Sequence, residues 1–285
     1  MVDATDLKSV GPAGRAGSSP ALGISIDCAQ SSQVRCGWTF SFSAPMAIQD
    51  RVDQAERADG FCYDRRAAVR RLARVDPVLG ALMRACGPFA LQLRTLHSPF
   101  EALARNIIYQ QLHGTAAAAI HARLLALVMR GRKLQPRDIL AADEADLRGV
   151  GLSGAKTAAL KDLALKTLDG TVPTLARLRR MADEEIVARL TSVRGIGRWT
   201  VEMLLMSRLG RGDVLPVGDL GVRRGFALVY QTPELPTPKA LAAYGERWRP
   251  FRTVASWYMW RALELPRGAW PPPAQTRRRH KGSTP

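Results

Sequence analysis

Residues 190–225, LTSVRGIGRWTVEMLLMSRLGRGDVLPVGDLGVRRG, constrain the architecture of this chain more than any other stretch. Gly195 and Gly197 flank Ile196; glycine reaches positive φ freely and lets another backbone come close. Ahead of them, Ile186, Val187, Leu190 and Val193 recur at helical spacing, which predicts an amphipathic helix from about residue 183. Behind them, Thr200, Val201, Met203, Leu204, Leu205 and Met206 predict a second helix, apolar on most faces and therefore buried. Two helices joined by so tight a turn form a hairpin. The free N–H groups at the start of the second helix, with the positive end of its dipole, make an anion site. Such a grip reads no base edge, so it holds a nucleic-acid backbone irrespective of sequence. A bare G-I-G is equally an ordinary corner between helices. The loop beyond the second helix is less ordinary: P-V-G-D-L-G places Asp219 just ahead of Arg223 and Arg224.

The charge of the chain points the same way. Its 42 Lys+Arg against 25 Asp+Glu leave a net +17 over 285 residues, the footprint of a nucleic-acid partner. Charge by itself does not separate DNA from RNA or an anionic membrane. However, no apolar run reaches a membrane span, since residues 116–129 are interrupted by His121 and Arg123. No secretory signal is evident. Cys28, Cys36, Cys62 and Cys86 are widely spaced, without a C-x-x-C, which predicts a reduced, cytoplasmic chain. His97, His113, His121 and His280 show no metal-ligand spacing.

Residues 1–45, rich in Gly, Ser, Ala and Pro without sustained period, read as a disordered extension, with Met46 as an alternative start. Residues 46–268 read as a helical domain of two lobes, and 269–285 as a basic, Pro-rich tail. Helices are predicted at 66–74, 78–86, 99–112, 115–129, 155–167, 174–181, 183–193, 198–209, 220–229, 238–248 and 254–263. The expected fold is all-α: two helical lobes, a DNA-binding helix-hairpin-helix, and a cleft between the lobes.

The V-R-G-I-G-R-W-T-V turn, with P-V-G-D-L-G downstream, resembles the helix-hairpin-helix base-excision DNA glycosylases, known as the HhH-GPD superfamily. The nearest likeness is to the DNA-3-methyladenine glycosylase II branch. Similarity is supported by residues 106–112 (NIIYQQL), 151–156 (GLSGAK) with 160–164, 246–252 (ERWRPFR) and 255–260 (ASWYMW), and extends from about residue 67 to 264. The resemblance implies removal of an alkylated purine from double-stranded DNA by a monomer. It implies no organic cofactor, but a monovalent cation held by the backbone carbonyls of Thr191, Val193 and Ile196. Some branches carry an iron–sulfur cluster after the catalytic region; no cysteine lies beyond Cys86, which predicts that this cluster is absent.

Chemistry on a stacked base requires turning the nucleotide out of the duplex. That calls for a backbone clamp, a plug for the vacated gap, a base pocket and a group that promotes glycosidic cleavage. Gly195, Gly197 and the amides near Thr200 supply the clamp. Gln111, with Leu112 or Tyr109 beside it, is the candidate plug, although Gln110 and Gln111 could equally brace the helix. Trp199 is the candidate pocket wall, because an indole face attracts a cationic base; packing in the core is its plainer reading. Tyr109 and Trp257 are weaker candidates. Asp219 is the reactive carboxylate, able to stabilise positive charge developing on the sugar or to orient water. It is also a natural helix N-cap, and both roles are compatible. Asp213 is its nearest rival, and Gly218 stands where the branch often has an acid. Lyase members carry a lysine in the hairpin at the place of Trp199, which predicts base removal without strand nicking. The alternatives are action on another class of lesion and a noncatalytic protein that binds damaged DNA.

Overall fold

A computed structural model describes residues 60–128, 133–266, 268 and 270. The expected extension at 1–45, and the tail apart from Trp270, lie outside the described residues. Among the described residues the secondary structure is helical throughout, with no strand. The helices are α1 (Arg65–Val75), α2 (Pro77–Cys86), α3 (Pro99–Tyr109), α4 (Gly114–Val128), α5 (Pro136–Ala141), α6 (Glu144–Gly149) and α7 (Gly154–Leu168). They continue with α8 (Leu175–Arg180), α9 (Asp183–Thr191), α10 (Arg198–Ser207), α11 (Leu220–Tyr230), α12 (Pro238–Gly245), a 3-10 turn at Glu246–Trp248, and α13 (Arg252–Ala262). None is long and apolar enough to cross a membrane.

Local chemistry sets many of the starts. Asp64, Asp76, Ser98, Ser153, Thr174, Asp219 and Thr237 each accept a backbone N–H from the first turn of the helix they precede. Proline opens α2, α3, α5 and α12, where its missing N–H costs nothing. α5 and α6 were not expected from the sequence, because Pro136 reads as a breaker between segments; in the structure it is an initiator. α3 ends at Tyr109, three residues short of the expected end, and Gln111 takes a left-handed φ of 55°.

The helices pack around two apolar cores. One is built from contiguous chain, residues 96–214, and includes Leu103, Ile107, Leu124, Leu160, Leu190, Val201 and Leu205. The other joins the two ends of the described chain: α1 and α2 pack with α11, α12 and α13 through Leu72, Leu79, Phe226, Trp248, Tyr258 and Met259. This second lobe is pinned by Asp76, which is 3 % exposed. One of its oxygens caps α2 at Leu79 N (3.0 Å); the other accepts from Tyr230 OH (2.7 Å), Trp248 Nε1 (2.9 Å) and Tyr244 OH (3.2 Å). Burial, and then the bond to Asp76, pushes the Tyr230 hydroxyl well above its usual pKa. Asp76→Ala strands four donors, two of them buried, and is expected to cost about 3–5 kcal/mol. Urea unfolding would measure it, and a loss below about 1 kcal/mol would show that water replaces the carboxylate freely.

The lobes meet at Trp260 of α13 and at Asp219, which bonds both Trp260 and Trp199 of α10. Trp199 packs against the middle core, Trp260 touches both, and Trp270 is buried in the terminal core, donating to Val229 O at 3.2 Å.

Candidate active site

α9 and α10 form the expected hairpin. Its tip holds Gly195 at φ +79°, where a side chain would be strained. α7 supports the turn from behind: the Asp162 carboxylate accepts Arg194 N–H at 2.7 Å and Lys166 Nζ at 2.9 Å, and Lys166 also reaches Ser192 O. Burial works to raise Asp162, but the Arg194 amide and the Lys166 ammonium together hold it below the usual carboxylate range. From the side, Gln110 Nε2 donates to Gly195 O at 2.8 Å. Lys156 Nζ closes the end of α3 on the carbonyls of Ile108 (2.6 Å) and Gln110 (2.8 Å). Burial lowers the pKa of that ammonium.

The two glutamines therefore differ. Gln110 braces the hairpin, whereas Gln111 is exposed at the end of α3 with half-buried Leu112 beside it. The clamp donors also differ from expectation. Thr200 is buried, and its own amide is closed on Gly197 O at 3.0 Å. At the turn, the amides of Gly195, Gly197, Arg198 and Trp199 are the ones left without an acceptor among the described residues. Gly197 has an ordinary φ of −90°, and a Cβ placed there meets nothing within 4 Å. Its glycine is thus required neither by strain nor by a protein neighbour; the space it leaves faces outward, where a phosphate could approach. Gly197→Ala is expected to change stability by about 1 kcal/mol or less and to weaken duplex DNA binding about tenfold. Fluorescence anisotropy beside a melting curve would test this; unchanged affinity would remove Gly197 from the clamp.

Asp219 is the N-cap of α11, and the turn before it closes through its own amide on Pro216 O at 2.9 Å. Its Oδ1 accepts from Val222 N at 2.7 Å and Trp260 Nε1 at 2.9 Å; its Oδ2 accepts from Trp199 Nε1 at 2.6 Å. Three neutral donors from two lobes orient the carboxylate, and among the described residues no cation pairs with it. Of its basic neighbours in sequence, Arg223 donates to Pro236 O at 2.9 Å, and Arg224 is exposed. Room for this arrangement depends on Gly221, where a Cβ would come within 3.0 Å of Asp219 Oδ1 and 2.9 Å of Trp260 Cδ1. Trp199 thus uses its N–H edge on the carboxylate, a role that its aromatic ring face, the basis for expecting a pocket wall, does not announce.

The rival carboxylate has a structural task. Asp213 is gripped by Arg252 (Nε 2.7 Å, Nη2 3.1 Å) and Arg249 (Nη1 2.5 Å). Tyr109 carries the Arg105 guanidinium on its ring at 4.0 Å and meets His121 edge-on at 6.0 Å. Trp257 packs edge-on against Phe89 and Tyr258. Sequence reasoning named Trp260 only as part of a closing helix, and it passed over Glu202. A lone acid inside the apolar run VEMLLM was the available signal for Glu202.

The backbone suits the cation expected at the hairpin. Among the described residues the carbonyls of Thr191 and Ile196 accept no hydrogen bond, and Val193 O accepts only Ile196 N–H at 3.0 Å, leaving a second lone pair. These oxygens lie at the negative end of α9. Lys166, on the intervening Ser192 carbonyl, already supplies one positive charge there.

Residues 104–250 match the family model of the HhH-GPD superfamily of base excision DNA repair proteins. The chain belongs to that superfamily. Within it, the likenesses place it in the DNA-3-methyladenine glycosylase II branch. It is 40% identical over 167 residues to DNA-3-methyladenine glycosylase 1 of Schizosaccharomyces pombe, covering 59% of this chain and 73% of that protein. A solved structure of the fission-yeast 3-methyladenine DNA glycosylase with abasic DNA is similar with a TM-score of 0.60 and 36% identity, over 70% of this chain and 97% of that one. The DNA-3-methyladenine glycosidase of Bacillus halodurans is similar with a TM-score of 0.63 and 33% identity, over 68% and 88%. Like those HhH-GPD proteins, this chain is built for glycosylase chemistry on DNA.

Proposed function

We propose that this protein is a monofunctional DNA glycosylase that hydrolyses the bond between deoxyribose and an alkylated purine of the 3-methyladenine or 7-methylguanine type. The carrying observation is the state of Asp219: fixed by three neutral N–H donors, it keeps its negative charge un-neutralised by any ion pair among the described residues. Glycosidic cleavage puts positive charge on the sugar, and a carboxylate pre-oriented in this way stabilises that charge or steers water to it. Because the orienting groups are already in place, little reorganisation is needed as the charge develops.

The remaining roles accord with the geometry. Outward amides at Gly195, Gly197, Arg198 and Trp199 hold the backbone of the lesion strand. Exposed Gln111, with Leu112, fills the gap left by the flipped nucleotide. The ring of Trp199, held by its N–H edge, leaves indole face for a cationic base. A monovalent cation on Thr191, Val193 and Ile196 would stiffen the turn. Strand nicking would need a free amine, and two lysines of α7 that reach α3 and the hairpin are committed. Lys156 is bound to two carbonyls, and Lys166 to Asp162 and Ser192 O. We further expect a monomer acting in the cytoplasm on double-stranded DNA with damaged bases, without an organic cofactor.

A noncatalytic damage binder is disfavoured by the same carboxylate, since an unpaired negative charge near phosphate weakens binding for no return. The deciding experiment is base release from methylated duplex DNA, with chromatographic identification of the freed bases and strand integrity read before and after alkali. Free 3-methyladenine or 7-methylguanine, with breaks only after alkali, is the expected result. Tight binding without release would favour the binder, and release from oxidised or deaminated duplexes instead would move the protein to another lesion class.

A further inference from the structure

A carboxylic acid is buried inside the second helix of the hairpin. Glu202, on α10, is 5 % exposed, and the residues around it in sequence are Val201, Met203, Leu204, Leu205 and Met206, all buried. Its hydrogen-bonding partner is Arg198 Nε at 3.0 Å. That guanidinium is shared, because its other two nitrogens fork onto Glu184 of α9 at 2.5 and 3.1 Å. Two carboxylates thus divide one arginine, and the buried one receives the single bond. Isolated acids in an apolar helix are costly, so a carboxyl retained here calls for a role.

Its position suggests one. Glu202 lies three residues beyond Trp199, hence on the same side of α10, and Trp199 is one of the three donors that hold Asp219. The charged groups that act on Glu202 are Arg198 on its own helix, Glu184 on α9 and Asp219 at the start of α11. The interaction with Asp219 is mutual: charge on Glu202 is felt where Asp219 acts.

We propose that Glu202 is a positioning carboxylate for excision, acting through Asp219: when ionised it deepens the negative field on the sugar and speeds bond cleavage. The proposal rests on the glycosylase function. It is supported by the titration of the group. Burial pushes Glu202 up to about 7, against the pull of Arg198, with Glu184 and Asp219 adding to the rise. The charge therefore appears across neutral pH rather than well below it. Below that range Asp219 works alone, and above it the charge on Glu202 adds to the negative field that Asp219 provides. The interior screens this charge incompletely, and an effect on the order of fivefold in rate is expected.

The test is single-turnover base release from methylated duplex DNA between about pH 6 and 8.5, a window that brackets neutral titration, with uncatalysed loss subtracted, for the parent and Glu202→Gln. Anisotropy on the same duplex separates binding from chemistry. Glutamine keeps the shape and one acceptor for Arg198, and removing a buried charge is not expected to lower the melting temperature at about pH 8. The parent rate should rise about fivefold through neutral pH, while the variant stays flat near the parent's low-pH value with unchanged affinity. A folded Glu202→Gln protein that keeps the parent's rise overturns the proposal, as does a flat parent profile. Should glutamine prevent folding, Glu184→Gln serves instead. It removes the negative charge that competes for Arg198 and raises Glu202, so the midpoint should move to lower pH, and an unmoved midpoint overturns the proposal. Absence of base release by the parent at every pH is a distinct outcome, one that overturns the glycosylase reading itself.

Discussion

Asp219→Asn is expected to reduce excision by at least about 10²–10³-fold, with little change in affinity for the same duplex. The charge is lost, and so is part of its setting. Three N–H donors converge on the carboxylate, from Val222, Trp260 and Trp199. An asparagine oxygen placed at Oδ1 still serves Val222 and Trp260, keeping the helix cap, but its NH2 group then faces Trp199 Nε1, donor against donor. The Trp199 indole must shift or go unpaired, at a cost of about 1–3 kcal/mol. The N-cap and the hairpin amides remain, so DNA holding should survive. Single-turnover excision and anisotropy on one lesion duplex give both numbers. If the variant excised at the parental rate, Asp219 would be a helix cap and nothing more.

Gly225→Ala should be the most damaging small substitution in the terminal lobe. A Cβ at Gly225 would lie 2.0 Å from Met259 O and 2.6 Å from Met259 C. These are backbone atoms of α13, so no side-chain rotation relieves the overlap and the α11–α13 crossing must open. Overpacking of well-filled cores costs about 1–3 kcal/mol and more where backbone must move; about 3 kcal/mol or more is expected here. The same displacement reaches the active site, because α11 carries Asp219 at its start and Trp260 comes directly after Met259 on α13. Material that still folds should therefore excise at least about tenfold more slowly, since an ångström of misplacement is felt in the chemistry. Urea unfolding and excision on the folded fraction test the two effects separately. Parental stability would mean that the crossing is looser than its geometry.

The helical body and the hairpin were legible because apolar periodicity and glycine chemistry are local properties. The same is true of Asp219 as a cap. Features that depend on distant chain were not legible. Asp76 was not singled out in the sequence, because its three aromatic partners come from positions 230–248. Trp260 sits 41 residues from the carboxylate it holds. The roles of Gln110 and Gln111 could not be separated by pattern, because what distinguishes them is a left-handed residue and a bond to Gly195. Glu202 was detectable in principle, as a charge where the helical pattern demands an apolar residue. Its meaning appears only once Arg198 is seen to be shared with Glu184.

The terminal lobe is assembled from both ends of the described chain, and this bears on how the protein is made. The middle lobe, residues 96–214, is complete before α11 leaves the ribosome. α1 and α2 must wait for α13, their partner roughly 180 residues later, and closing so long a loop is a late, cooperative event. The Trp260–Asp219–Trp199 junction forms in that last step. A nascent chain can therefore display a finished DNA-gripping hairpin while it still lacks the means to cut a base free.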